Sequence, residues 1–341
     1  MARPVHLLPK AHLHLHFTGS MRPATLKDLA HGHGIRLPES LREQHLLRLT
    51  PDERGWFRFQ RLYDAARACV RGEQDMRRIV REAAEDDAAE GSGWLELQVD
   101  PTSYAQYVGG LTPALEIVLD AAREASASTG CEVGVIVAAS RIRHPLDARA
   151  LARLAARYAG DGPGNVIGFG LSNDERRGDT EEFAAAFRIA ARAGLPGLPH
   201  AGELLGPDHV RTALDALTPH RLGHGVRATE DPALLARIVD AGIGLEVCPS
   251  SNVALGVYPT ADRVPLPALL DAGARIALGA DDPLLFGPRL ADQYTDARTV
   301  HGIDDAGLAG LARSSIEVSL APPRVKRRLL DGVDTWLAQG S

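Results

Sequence analysis

From residue 92 to residue 279 the chain alternates short apolar runs with amphipathic stretches, and no two apolar runs are joined by a hairpin-length turn. The periodicity predicts strands at 94–99, 132–138, 166–171, 197–200, 221–224, 244–248 and 275–279, separated by helices at 113–128, 145–159, 180–193, 208–217, 231–241 and 265–272. Crossovers of that length join parallel strands. One more strand precedes Phe17, followed by a helix from Pro23 to Ala30, further helices over 39–90, and helices again over 288–338. Eight parallel strands each leading into a helix predict a closed (β/α)₈ barrel. No linker, repeat or low-complexity segment divides it, so residues 1–341 read as one domain with extra helices after the first strand and at the C-terminus.

The composition excludes several classes of function. With 38 basic residues against 44 acidic ones the net charge is −6, and no basic block or basic–aromatic interleaving marks a nucleic-acid surface. No apolar run approaches the roughly 20 residues needed to span a membrane. Cys69, Cys131 and Cys248 are widely spread and form no C-x-x-C pair, which fits reduced thiols. The N-terminus carries Pro4 and no apolar core of a signal peptide, so the expected location is cytoplasmic and the expected partner a small molecule. Nothing in the sequence sets the oligomeric state.

Chemistry enters through the first strand, Lys10-Ala11-His12-Leu13-His14-Leu15-His16. Strand alternation predicts that His12, His14 and His16 share one face. A divalent metal satisfies neighbouring buried imidazoles. Catalytic groups of such barrels collect at the C-terminal strand ends. Those ends carry His14 and His16, then His200 with Glu203, then His224, then Asp281 and Asp282. Taken singly, His224 reads as a packed strand-end residue and Asp281-Asp282-Pro283 as a capped turn. Their convergence on one rim selects a three-histidine, one-aspartate metal site, with His14, His16, His200 and Asp281 as ligands. Such a set suits one Zn²⁺, and also iron, manganese or cobalt. A water activated there needs a base or orienting group, His224, and an acid to protonate the substrate, Glu203. Asp282 is placed to hydrogen-bond the substrate. His12 lies a layer deeper and reads as a hydrogen-bonded core residue. His31, His33, His209 and His220 read as surface or loop residues. Trp56, Phe57, Phe59 and Tyr63 lie at helical spacing, as core residues or as a lid over the rim.

The ordered set Pro9-Lys10…His14-Leu15-His16, His200-Ala201-Gly202-Glu203, Arg221-Leu222-Gly223-His224-Gly225, Glu246-Val247-Cys248-Pro249-Ser250-Ser251-Asn252 and Gly279-Ala280-Asp281-Asp282-Pro283 resembles the adenosine deaminase family of the amidohydrolase superfamily. The resemblance implies a mononuclear zinc enzyme that hydrolyses the 6-amino group of an adenine ring and releases ammonia. It implies that Glu203 protonates ring N1, that His224 and Asp281 position the attacking water, and that Asp282 contacts N7. The family's glycine whose N–H meets ring N3 aligns with Asn173. The family's glutamate ahead of the first ligand is His12, and its aspartate for the ribose 5′-hydroxyl is Thr18. Without that acidic group a 5′-extended or anionic substituent is no longer repelled. The segment His16-Phe17-Thr18-Gly19-Ser20 is similar to the branch acting on 6-amino-6-deoxyfutalosine, an intermediate of menaquinone biosynthesis whose C5′ is extended to a benzoate. Adenosine and adenine are the alternative substrates. Arg22, Trp56, Phe57, Arg58 and Tyr104 are candidates to meet the extension. A two-metal hydrolase would use a carboxylated lysine at the end of the fourth strand, where this chain has Gly170-Leu171-Ser172.

Overall fold

The computed structural model describes residues 3–338. Its strands are β1 (Lys10–His16), β2 (Ser92–Val99), β3 (Glu132–Ser140), β4 (Val166–Ser172), β5 (Gly197–Ala201), β6 (Arg221–His224), β7 (Gly244–Val247) and β8 (Arg275–Leu278). They lie side by side in sequence order and pair in parallel. The barrel closes between β1 and the residues just after β8. There the Asp281 N–H donates to the His14 carbonyl at 3.0 Å, and the His16 N–H donates to the Asp281 carbonyl at 3.0 Å. The predicted (β/α)₈ barrel is therefore the observed fold.

Strands covered on both faces read as continuous apolar runs, and β3 is buried along its whole length. Helices contribute one apolar stripe each. Helix Leu111–Thr129 buries Ala114, Leu115, Val118, Ala121, Ala122 and Ala125, the spacing of one helical face. The predicted helix 180–193 is a 3₁₀ turn over Thr180–Phe183 followed by helix Ala184–Arg192. Between β1 and β2 stand four helices: Pro23–Gly32, Glu39–Arg42, Glu53–Arg67 and Glu73–Ala89. Asp52 caps the third of these by accepting from the Gly55 N–H at 2.8 Å. No helix among the described residues is long and apolar enough to cross a membrane.

One expectation for β1 fails. The β1–β2 register slips between His12, paired with Leu95, and Leu15, paired with Leu97. Two residues stand on β1 where β2 has one, which is a β-bulge. Alternation is broken, so His12 does not share the face of His14. It turns to helix Glu73–Ala89, where its Nδ1 lies 3.0 Å from Asp87 Oδ1, and its Nε2 accepts the Ala280 N–H at 3.0 Å. His12 is a fully hydrogen-bonded core residue, as expected, but on the opposite side of the strand.

The barrel interior below the rim is charged. Arg221 on β6 donates through Nε to Glu246 Oε1 at 2.7 Å, through Nη1 to the Val318 carbonyl at 2.8 Å, and through Nη2 to Glu96. All three side chains are sealed from solvent. Burial of such ions is tolerated only when each is paired and hydrogen-bonded, as here.

Candidate active site

The bulge aims His14 and His16 at the barrel mouth, where β5 and the β8 end deliver His200 and Asp281. His16 Nε2 lies 3.2 Å from Asp281 Oδ1 and 3.2 Å from His200 Nε2. His14 Nε2 lies 3.6 Å from Asp281 Oδ1 and is a buried ring nitrogen without a hydrogen-bond partner. His14 Nδ1 meets Glu246 Oε2 at 2.7 Å, which leaves Nε2 as the free atom. The predicted ligand atoms thus converge, the three histidines within 4.8 Å of one another. Burial opposes charge on His14, yet Asp281 and Glu246 hold its imidazole protonated up to about 10. A divalent cation supplies the positive charge these carboxylates require and frees the imidazole as a ligand. The donor set fits such an ion.

Gly223 makes room for this cluster. A Cβ there would stand 3.0 Å from both His14 Cε1 and His200 Nδ1. Gly19 does the same for Asp282, whose Oδ1 would lie 1.8 Å from an added Cβ. Burial and the adjacent Asp281 push the Asp282 carboxyl well above its usual range. Glu203 is likewise buried, and burial followed by the charge of Asp281 raises it well above an ordinary carboxyl. Its Oε1 stands 3.6 Å from His224 Nε2, which is 4.0 Å from Asp281 Oδ2. Burial, then the charge of His14, lowers His224 to about 3, so this imidazole is neutral at physiological pH.

His224 Nδ1 is 3.4 Å from the Asn252 side-chain nitrogen, while Asn252 Oδ1 is buried without a partner. The amide turned over satisfies that oxygen with the Nδ1 proton and leaves a lone pair on Nε2. Three site residues, Asn173, His224 and Asp281, hold positive φ of 81°, 62° and 61° without being glycine. Such conformations concentrate at functional sites.

Above the polar floor opens a cavity of about 80 Å³. Asn173 lines it beside Ser140 and Ser172; Trp56, Phe59, Tyr63 and Tyr104 form an aromatic wall with Arg67 and Ser103. Arg67 Nη1 donates to Ser103 Oγ at 3.2 Å. Thr18 does not line the cavity. It is sealed behind Tyr104, with its Oγ1 2.5 Å from the Tyr104 hydroxyl. Of the residues expected at a 5′ extension, Trp56 and Tyr104 line the cavity; Arg22 is bound by Asp86 at 2.7 Å and Phe57 is exposed. Arg58 belongs to a separate surface groove. Arg67, absent from that expectation, follows Tyr63 by one helical turn. His209, expected at the surface, is largely buried, with Nε2 3.0 Å from Thr180 Oγ1.

The adenosine deaminase family model matches residues 9–336. The chain belongs to the adenosine deaminase family. A Streptomyces virginiae protein provisionally named adenosine/adenine deaminase is 61% identical over 338 residues, covering 98% of each chain. The crystal structure of adenine deaminase from Arthrobacter aurescens superposes with a TM-score of 0.88 at 31% identity, over 96% of this chain and 99% of that one. A Burkholderia ambifaria amidohydrolase with bound zinc gives a TM-score of 0.84 at 25% identity, over 98% and 94%. As a family member this protein is a hydrolase of C–N bonds, of the adenosine/adenine deaminase type.

Proposed function

We propose that the protein is a zinc-dependent deaminase of a 5′-extended adenine nucleoside, 6-amino-6-deoxyfutalosine, which it converts to futalosine with release of ammonia. His14, His16, His200 and Asp281 would hold one Zn²⁺. When bound, zinc lowers the pKa of a water toward neutrality. The neutral His224 would orient the attacking water and take up a proton at Nε2, with Asn252 fixing its tautomer. Glu203, kept protonated by burial, donates to ring N1 and so makes C6 electrophilic. Asp282 contacts N7. The Asn173 backbone N–H faces ring N3.

The observation that carries the choice of substrate is the Arg67 guanidinium, which lines the cavity with Trp56, Tyr63 and Tyr104, lies 5.7 Å over the Tyr63 ring and is also paired with Asp64. An aromatic acid needs ring faces to stack on and a cation for its carboxylate. Thr18 supports the same reading, since the position that would bind a free 5′-hydroxyl is neutral and turned away behind Tyr104. The adenine deaminase structure and the provisional naming of the Streptomyces relative favour a second reading, adenine or adenosine as substrate. Comparison of kcat/KM for 6-amino-6-deoxyfutalosine, adenosine and adenine on the zinc-loaded protein tests the choice. The extended nucleoside is expected to lead by at least tenfold. A higher value for adenosine or adenine removes the 5′-extension reading and leaves the deaminase.

A further inference from the structure

The loop that carries Glu203 is built around a second buried carboxylate. Three successive backbone N–H groups point at Glu175. Leu204 N–H donates to its Oε2 at 2.8 Å, Leu205 N–H at 2.7 Å, and Glu203 N–H lies 3.2 Å from both of its oxygens. The Glu175 side chain is entirely buried. Successive N–H groups of this kind form a cradle for an anion, and here the anion belongs to the protein itself. Hydrogen bonds to an ionised acceptor are about twice as strong as neutral ones.

The other end of the same loop is held as well. Arg141, buried at the end of β3, donates to the His200 carbonyl and to Thr180 Oγ1 at 2.8 Å. The chain between the two anchors turns at Gly202, where φ is +81° and a Cβ would meet Val210 at 2.7 Å. Glu203 therefore stands on a segment pinned before it by Arg141 and at and after it by Glu175. His209 Nδ1 lies 3.8 Å from Glu175 Oε2.

We infer that Glu175 is a positioning residue for the proton donor Glu203, fixing its backbone through the three N–H groups of residues 203–205. This rests on the role proposed for Glu203. Glu175 itself touches no reacting atom. Replacing one of its oxygens by an amide nitrogen sets donor against donor and loosens the cradle, and a displacement of about 1 Å at a catalytic group costs about 10²-fold in rate.

The test is Glu175→Gln and Glu175→Ala in the zinc-loaded protein, assayed on whichever of the three 6-aminopurines the wild type turns over fastest. The readouts are kcat per bound zinc, KM, zinc stoichiometry and melting temperature. The expected result is a fall of about 10–100-fold in kcat per zinc for Glu175→Gln, with KM within about threefold and zinc unchanged, and a larger fall for Glu175→Ala. A kcat per zinc within twofold of wild type overturns the inference. So does a loss of rate that follows KM, zinc content or folded fraction. Glu203→Gln, run alongside, separates the two claims: near-normal turnover in that variant removes the role of Glu203 itself, whereas a dead Glu203→Gln beside a silent Glu175→Gln removes only Glu175.

Discussion

Glu246→Gln tests how the metal site is supported from below. Glu246 Oε1 accepts from Arg221 Nε and Oε2 from His14 Nδ1, both at 2.7 Å. A glutamine has one oxygen for these two donors. If it serves Arg221, its amide N–H₂ faces His14 Nδ1, and the ring proton moves to Nε2, the atom that must bind metal. If it serves His14, Arg221 keeps only Glu96 as a charged partner. Loss of one member of a buried ion pair costs about 3–5 kcal/mol. An independent figure agrees. Burial opposes the charge on Glu246, but Arg221 and His14 together outweigh it and bring the pKa from 4.5 down to about 2. At 1.36 kcal/mol for each tenfold change, that difference is worth on the order of 3 kcal/mol. Because the folded pKa is the lower one, this stability is present above pH 4.5 and disappears as pH falls toward 2. Urea unfolding of the chelated protein at pH 7 is expected to show the variant about 3 kcal/mol weaker, with the gap closing on acidification. Zinc affinity, by competition with a chelating dye, is expected to fall 10–100-fold. A variant within 1 kcal/mol of wild type that keeps its zinc affinity refutes the argument.

Three further outcomes are expected. Thr18→Val leaves the Tyr104 hydroxyl without its buried partner, at a cost of about 1–3 kcal/mol; discrimination between 5′-substituted and plain adenosine should narrow, and an unchanged kcat/KM ratio would show that Tyr104 needs no anchor. Gly19→Ala places a methyl 2.7 Å from the Asp282 backbone as well as against its carboxyl, so no rotamer relieves it; a loss of about 1–3 kcal/mol on thermal unfolding should accompany a fall in kcat/KM, and wild-type kinetics would free Asp282 of its assigned contact. Chelation should abolish activity and lower the melting temperature, with both restored by added zinc; activity surviving removal of the metal would exclude the ligand assignment.

The fold and the rim residues could be read from the chain because both rest on local signals. Buried parallel strands leave uninterrupted apolar runs, and barrel chemistry gathers at their ends. What stayed hidden depends on pairing between distant segments. The β1 bulge is a mismatch with β2, invisible in either strand alone, and it reversed the side on which His12 lies. Arg221, Glu96 and Glu246 come from three strands and show their partnership only in space. Asn173, His224 and Asp281 hold a backbone conformation that glycine would announce and they do not. Thr18, expected to face the 5′ end of the substrate, instead hydrogen-bonds Tyr104 on another element, a partnership no local signal shows.

The seam of the barrel is made by the backbone of the proposed ligands themselves, His14 and His16 on one side and Asp281 on the other. A ribosome delivers these two edges far apart in time. At roughly 5–20 residues per second, the first edge waits about 15–50 s for the second. During that interval the edge of β1 away from β2 has no partner, and its two imidazoles lack the Asp281 carboxylate. The proposed ligand set is complete only once Asp281 has been made, and the backbone contact that brings Asp281 to His14 and His16 also shuts the last open edge of the sheet.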